Sequence, residues 1–462
     1  MGKYELRFSG KIYQQLQSHL FPGDGLEAIA LVLCGRHESK DRSILLAHRL
    51  HIIPHHESIR GREYVNWNTD NLVPLILEAA DKDMAILKIH SHPGGNEYFS
   101  GLDDKSDTAF FSSLYGWFES DYVHGSVVML PSGKLFGRVF TQDMASVPID
   151  KIIVAGDQIS VWDQNDDIAD EYFSERTIQT FGNGTYSKLR YMKVGVVGCS
   201  GTGSPTIEQL YRLGVGKLVL VDPDKIEYKN LNRILHSKRK DADQGLFKVD
   251  VIQNSIKEAN LGTQVKVFRK NLYDYREALA ELITCDIIFG CMDSVDGRHL
   301  LNQLTNFYLI PYFDLGVRLD ADGEGGINKI SATVHYIQPG CSSLLSRGQY
   351  TIDQLAASCL YRQDPEEYGK RRKEGYIHNV KVENPAVISI NMQISSMAVN
   401  EFLNRIHNYK YDPPHEYTQV SMDFSDGSIC NVSEESLRQD DYQVQWAGRG
   451  DCTPFLRMPE LG

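Results

Sequence analysis

Residues 85–107, AILKIHSHPGGNEYFSGLDDKSD, carry metal-ligating side chains at a spacing that suits hydrolysis. The apolar run 85–89 reads as a strand, and strand side chains repeat with period two, so His90 and His92 point at one spot. Ser100 and Asp103 follow eight and eleven residues after His92, and Gly94 and Gly95 let the connection fold back. Two imidazoles and a carboxylate leave one tetrahedral position for water, the arrangement of a catalytic zinc.

A second chemistry lies in residues 195–234, GVVGCSGTGSPTIEQLYRLGVGKLVLVDPDKIEYKNLNRI. An apolar strand turns through Gly198, Gly201, Gly203 and Ser204 into a helix whose Ile207, Leu210, Tyr211 and Leu213 share a face. The strand Lys217–Val221 then ends in Asp222. This βαβ order brings backbone amides and a helix start to phosphate oxygens, and the acid suits a ribose hydroxyl. A lone glycine fingerprint also fits an NAD site. Here the glycines read GxSGxGS, and Asn230, Asn232, Arg233, Lys248 and Asp293 follow. Asp293 ends an apolar stretch at a carboxyl strand end, where such sheets bind ligands, or else caps the helix expected over 295–304.

The elements that must position these groups need at least two domains. A chain of 462 residues with 42% hydrophobic content can bury two or three cores. Strand patterns at 28–34 and 126–130 with a helix near 72–80 suggest a compact α+β unit first. The net charge of −13 argues against nucleic acid or anionic membrane as partner, because phosphates select basic surfaces. No apolar run reaches membrane-spanning length, and MGKYELRFSG lacks a signal-peptide pattern, so the expected compartment is the cytoplasm. Eight scattered cysteines without a CxxC pair suit reduced thiols.

The string HxHP, then Ser and Asp, resembles the JAMM (JAB/MPN) metalloprotease motif. The resemblance implies a zinc peptidase domain over residues 1–150, with His90, His92 and Asp103 holding zinc and Ser100 donating to the oxyanion. Its members cut after the C-terminal glycine of ubiquitin-like proteins. The family's base is a glutamate on an early strand. Glu27 in GLEAIALVLCGR takes that place, with a glutamate-to-glycine spacing one residue longer than the family's, and Glu57 is the reserve. His51, His55 and His56 lack a carboxylate at ligand spacing and read as surface or fold residues.

The second stretch resembles the ThiF/MoeB/ubiquitin-activating adenylating family, with Ser200 where the family usually has glycine. The resemblance implies an overall α/β chain: the α+β JAMM domain, a connector over 151–172 carrying one strand or hairpin, a Rossmann-like ThiF-type domain over 173–410, and a 411–462 extension of no legible function. By the same resemblance the glycine loop and Ser204 cradle ATP, Asp222 binds ribose, Asn230 and Arg233 the phosphates, Lys248 the triphosphate, and Asp293 Mg2+. Arg176 reaches the partner's triphosphate in a homodimer or is a solvated helix-start residue; Arg190 is an alternative phosphate contact. Relatives carry a thioester-forming cysteine in a crossover loop. Here 348–384 is polar and charged, as expected of a mobile segment, and contains Cys359, with Cys341 as rival; a mechanism without a covalent acyl intermediate stays open. Ser343 and Ser346 stand where many members have a CxxC pair, so no structural zinc is expected. Residues 384–406 read as a buried helix.

Together the two resemblances imply a bifunctional enzyme that processes and activates the glycine-ended tail of a ubiquitin-like protein in a bacterial conjugation pathway, of the fused kind associated with phage defence, with or without a separate conjugating enzyme. The alternative is sulfur-carrier processing and adenylation for thiocarboxylate formation in cofactor or cysteine biosynthesis. A third reading makes one half a degenerate binding module.

Overall fold

Alternating apolar residues build the first sheet in the computed structural model, which describes residues 3–461 apart from 41, 164–171, 323 and 374–386. In chain order the elements are β1 (Lys3–Ser9), α1 (Gly10–Leu20), β2 (Ile29–Glu38), β3 (Arg42–Ile52), the hairpin β4 (Ser58–Arg60) and β5 (Val65–Trp67), α2 (Val73–Asp81), β6 (Ala85–Ser91), α3 (Gly101–Tyr115), β7 (His124–Met129), β8 (Leu135–Phe140), β9 (Ser146–Pro148), β10 (Lys151–Ala155) and β11 (Ile159–Asp163). Nine strands run in the order β11-β10-β1-β3-β2-β6-β7-β8-β9. Period two divides the faces: Ile29, Leu31, Leu33 and Ile86 pack with α2 and α3, while Leu6, Phe8, Ile152 and Val154 cluster with Leu16 and Leu20 of α1. The expected connector therefore carries a hairpin, β10–β11, that is part of the first sheet, because β10 pairs with β1 and buries both its faces. Its residues 164–171 lie outside the described residues.

The second sheet follows from α4 (Glu175–Tyr191), β12 (Lys193–Val197), α5 (Gly203–Arg212), β13 (Lys217–Val221), α6 (Arg239–Asp243), α7 (Lys248–Ala259), β14 (Gln264–Phe268), α8 (Arg276–Ile283), β15 (Ile287–Gly290), α9 (Val295–Tyr308), β16 (Tyr312–Ala321), β17 (Ile327–Ile337), α10 (Ile352–Gln363), α11 (Pro365–Lys373), α12 (Ile388–His407), β18 (Gln419–Asp423), β19 (Ile429–Val432) and α13 (Asp441–Val444). Strands β14-β13-β12-β15-β16 are parallel, and β17, β18 and β19 add to them antiparallel. Apolar faces of α5, α7 and α12 bury one side of this sheet; α8 and α9 bury the other. The buried helix expected over 384–406 is α12, Ile388–His407; residues 384–386 lie outside the described residues. No helix among the described residues is long and apolar enough to cross a membrane.

The two halves share a core, and the polar contacts between them fall on one edge of the second sheet. Arg7, fully buried, donates to the carbonyls of Ile283 (3.0 Å) and Tyr308 (3.1 Å), at the ends of α8 and α9. Lys151 pairs with Asp286 at 2.6 Å just before β15, and the Tyr336 hydroxyl donates to the Gly156 carbonyl at 2.6 Å. All these second-half groups sit where the parallel strands begin, so the first half covers the amino edge and the carboxyl edge points away from it.

The extension beyond 411 is likewise integral, since β18 and β19 complete the second sheet. Residues 448–451 then run between the halves: Gly448 and Gly450 donate to the carbonyls of Asn306 and Phe307, and Gly35 and Asp451 exchange backbone bonds with Gly448 and Arg36. The Asp451 carboxylate accepts from His37 Nδ1 (3.0 Å) and the Tyr308 hydroxyl (2.7 Å).

Candidate functional site

β6 and the start of α3 bring the first set of residues together. Ile86, Lys88 and His90 alternate onto the face that α3 covers, and His92 follows β6 with its amide bonded to the Met129 carbonyl. Ser100 caps α3, accepting from the Asp103 amide (3.2 Å) while its own amide (2.7 Å) and hydroxyl (2.8 Å) donate to Asp103 Oδ2. The cap aims the other oxygen inward. His90 Nε2 lies 3.0 Å from Asp103 Oδ1, His92 Nε2 lies 3.5 Å from Oδ2, and the two Nε2 atoms are 3.1 Å apart.

These three side chains fit a metal. One ligand atom from each lies within 4.8 Å of the others, the one such grouping among the described residues. The Asn96 carbonyl accepts from His92 Nδ1 at 2.9 Å, which fixes the tautomer and leaves the Nε2 lone pair facing the centre. Burial opposes charge on Asp103, yet the His90 and His92 imidazoles beside it hold its carboxyl well below the usual range. Ser100 is occupied with the helix cap, so an oxyanion role requires its hydroxyl to turn away from Asp103.

Glu27 lies two residues ahead of β2 and not in the strand, held by its amide to the Gly61 carbonyl and its carbonyl to Arg60 Nε. It is 5% exposed, and burial, reinforced by Asp103 against His92 and Lys88, lifts its carboxyl to about 7. Glu27, His90 and Asp103 share the wall of a cavity of about 880 Å3 with Lys88, Trp67 and Phe110. Glu57, the reserve, is exposed on a short turn beside His56 and does not line that cavity. The residue pattern alone missed Lys88, whose ammonium is buried against Asp107 (2.7 Å) and Ser106 (2.9 Å). Its period-two spacing from His90 was the available signal.

The second set lies at the carboxyl edge of the second sheet. Gly198 has a φ of 92°, open to glycine, and a Cβ on Gly203 would lie 1.8 Å from the Gly198 carbonyl oxygen. The loop is thus as tight as an amide cradle requires. Asp222, buried at the end of β13, accepts from the amides of Cys199 (2.7 Å) and Asp224 (2.9 Å), and burial raises its carboxyl above the ordinary value. Lys248 Nζ stands 2.7 Å from Asp224 and 4.0 Å from Asp222. Asn230 is buried, bonding the Glu227 amide, while the Arg233 stem approaches Gly201 closely enough that a Cβ there would meet its Cδ at 3.3 Å. Ser204 accepts from the Leu235 amide at 3.1 Å. Asp293 is exposed three residues beyond β15, at the same edge.

Other expected residues sit elsewhere. Arg176 is exposed on α4 beside Gln179 (3.4 Å). Arg190 ends α4 just before β12, at the amino edge, with the five residues of β12, about 16 Å, between it and Gly198. Cys341 follows β17, whose Ile337 pairs with Tyr312 at the start of β16; this is the amino edge, away from the glycine loop. Burial pushes its thiol up to about 12. Cys359 is on α10, not in a mobile loop, because Thr351 caps that helix and Ser358 (2.9 Å) and Arg362 (2.9 Å) bind Asp296 at the head of α9. That anchors it at the carboxyl edge, but burial and then Asp296 raise its thiol. Residues 374–384 of that segment lie outside the described residues.

Residues 173–441 match the ThiF family. Over 169 residues the chain is 31% identical to ubiquitin-like modifier-activating enzyme 5 of Culex quinquefasciatus, covering 34% of this chain and 39% of that protein. Over 166 residues it is 30% identical to the enzyme of the same name from Xenopus laevis, with 34% and 39% covered. The chain therefore spans about two fifths of the length of these curated relatives. Among solved structures, E. coli MccB with succinimide aligns at a TM-score of 0.44 and 16% identity over 59% of this chain and 74% of that one. E. coli MccB with AMPCPP and MccA aligns at 0.45 and 17% over 58% and 72%.

Proposed function

The chain belongs to the ThiF family, and from that premise we propose that it is a two-site enzyme acting on the glycine-ended tail of a ubiquitin-like protein. The carboxyl edge of the second sheet adenylates. Asp222 takes the ribose, the loop Gly198–Ser204 and the start of α5 take phosphate oxygens, and Lys248 and Arg233 offset charge as a tail carboxylate oxygen attacks the α-phosphorus. The bond to the β-phosphate oxygen breaks and pyrophosphate leaves. Asp293, at the same edge beyond β15, would bind the magnesium that accompanies ATP.

The first half hydrolyses, and the observation that carries this is the convergence of His90, His92 and Asp103, two of which, His90 and Asp103, line one cavity with buried Glu27. His90, His92 and Asp103 would hold a zinc ion, which would supply Lewis acidity and activate water for hydrolysis. Glu27, with its carboxyl near 7, is matched to accept and return a proton near neutral pH. Such a site trims residues beyond the terminal glycine or releases the modifier from a target, in a bacterial conjugation pathway of the phage-defence kind.

The raised thiols of Cys341 and Cys359 favour a second form of the activation step, in which a sulfide or amine attacks the acyl-adenylate carbonyl directly, the bond to the phosphate oxygen breaks and AMP leaves. Intact mass spectrometry of the full chain with an extended ubiquitin-like protein decides these points. The expected result is loss of tail residues, abolished by chelation and by Glu27→Gln, and an ATP-dependent adenylate abolished by Lys248→Ala. Unchanged masses refute the reading; an ATP-dependent enzyme adduct absent in Cys359→Ala restores the thioester, and thiocarboxylate with a sulfide donor selects sulfur transfer.

A further inference from the structure

We propose that His236 is a positioning residue for the triphosphate of ATP, a role that rests on the adenylation reading above. The segment from Glu227 to His236 crosses in front of α5 and carries Asn230 and Arg233. It is folded on itself by the Asn230 carbonyl, which accepts from the amides of Arg233 and Ile234 at 3.1 Å each. Two bonds then tie it down. The Leu235 amide donates to Ser204 Oγ at 3.1 Å, and His236 Nε2 donates to Glu208 Oε2 at 2.7 Å. Ser204 and Glu208 are four residues apart and so lie on one face of α5, one turn above the other. Glu208 is itself fixed by the Tyr211 hydroxyl (2.6 Å) and Arg212 Nε (2.5 Å).

The backbone at His236 makes the side chain's contribution conspicuous. Its φ is 64°, in the left-handed region that residues with a Cβ avoid and glycine enters freely. A residue needed only to turn the chain would be better served by glycine. The imidazole instead compensates an unfavourable backbone with a charge-assisted bond, which is the pattern of strain held for a purpose. What it holds is the seat of Arg233, whose stem lies against Gly201 of the phosphate loop. Release of the His236–Glu208 contact frees the far end of the segment, so the loss is confined to groups that touch phosphate.

The test is calorimetric titration of the full chain with ATP and with adenosine, alongside thermal unfolding without nucleotide. His236→Gly is expected to unfold at or above the wild-type temperature, to bind adenosine unchanged, and to bind ATP roughly five- to tenfold more weakly, the range one charge-assisted bond at a part-exposed site supports. Glu208→Gln is expected to give the same ATP-selective loss. Unchanged ATP affinity in both variants overturns the proposal, as does an equal loss for adenosine and ATP. A wild-type chain that binds neither ligand refutes the adenylation reading itself, and the proposal with it.

Discussion

Replacing Gly203 by alanine tests whether the tight loop at the head of α5 is the phosphate cradle. The added Cβ would sit 1.8 Å from the Gly198 carbonyl oxygen and 2.8 Å from its carbon, both backbone atoms that no rotamer change can clear. An ordinary carbon–oxygen contact is about 3.3 Å, so the loop must open by roughly 1.5 Å. Gly198 is tethered by its amide to the Val221 carbonyl and Ser204 by its amide to the Ser200 carbonyl, so the opening displaces the cradle as a unit. Overpacking of this kind costs about 1–3 kcal/mol of stability, and a displacement above 1 Å in a positioning loop costs on the order of 100-fold in ligand affinity or rate. Urea unfolding and calorimetric titration with ATP measure both. Gly184→Ala, two residues past the non-helical Gly182 that breaks α4 and with no atom within 4 Å of the new Cβ, is the matched control, expected to stay within about 0.5 kcal/mol in stability and keep ATP affinity. If Gly203→Ala binds ATP within threefold of wild type, the loop does not seat the phosphates.

Asp103→Asn removes the anionic ligand, and zinc content by elemental analysis is expected to fall at least tenfold while α3, whose cap an asparagine can still complete, keeps its circular dichroism. Lys151→Met leaves Asp286 buried between the halves and is expected to destabilise by about 3–5 kcal/mol in urea; Lys151→Met with Asp286→Leu recovers most of that if the cost is an uncompensated charge. His335 is buried on β17, and burial lowers it to about 3. The folded state then binds fewer protons than the unfolded between pH 3 and pH 6.5, so stability falls with acidification through that window. Relative to His335→Leu, the wild type should lose about 2 kcal/mol on going from pH 7.5 to pH 5, at about 1.4 kcal/mol per unit, and an unchanged difference refutes a neutral buried imidazole.

Legibility in the sequence followed the range of the interactions. The strand carrying His90, the glycine turn into α5 and Asp222 at the end of β13 are local patterns, so residue types and periodicity located them. The α3 cap through Ser100 and Asp103 is local too, but its hydroxyl was read as chemistry when it also satisfies a helix start. Placement across the sheets was not legible. Arg190 and Cys341 belong to the amino edge because of strand direction and pairing, which the residues near them do not encode. The pairs Lys88–Asp107 and His236–Glu208 join segments 19 and 28 residues apart, so the spacing of Lys88 from His90 marks its face but not its partner. Cys359 was read as mobile from polar composition, yet Thr351 and the contacts with Asp296 make that stretch helical.

The run at 448–451 also covers a backbone edge of the first sheet. Pairing of β2 with β6 stops at Cys34, so the backbone of the next residues meets Gly448 and Asp451 where another strand would lie. The cover follows β2 (Ile29–Glu38) by about 410 residues in the chain. Until residues 448–451 dock there, that stretch presents unpaired backbone of the kind that recruits neighbouring chains.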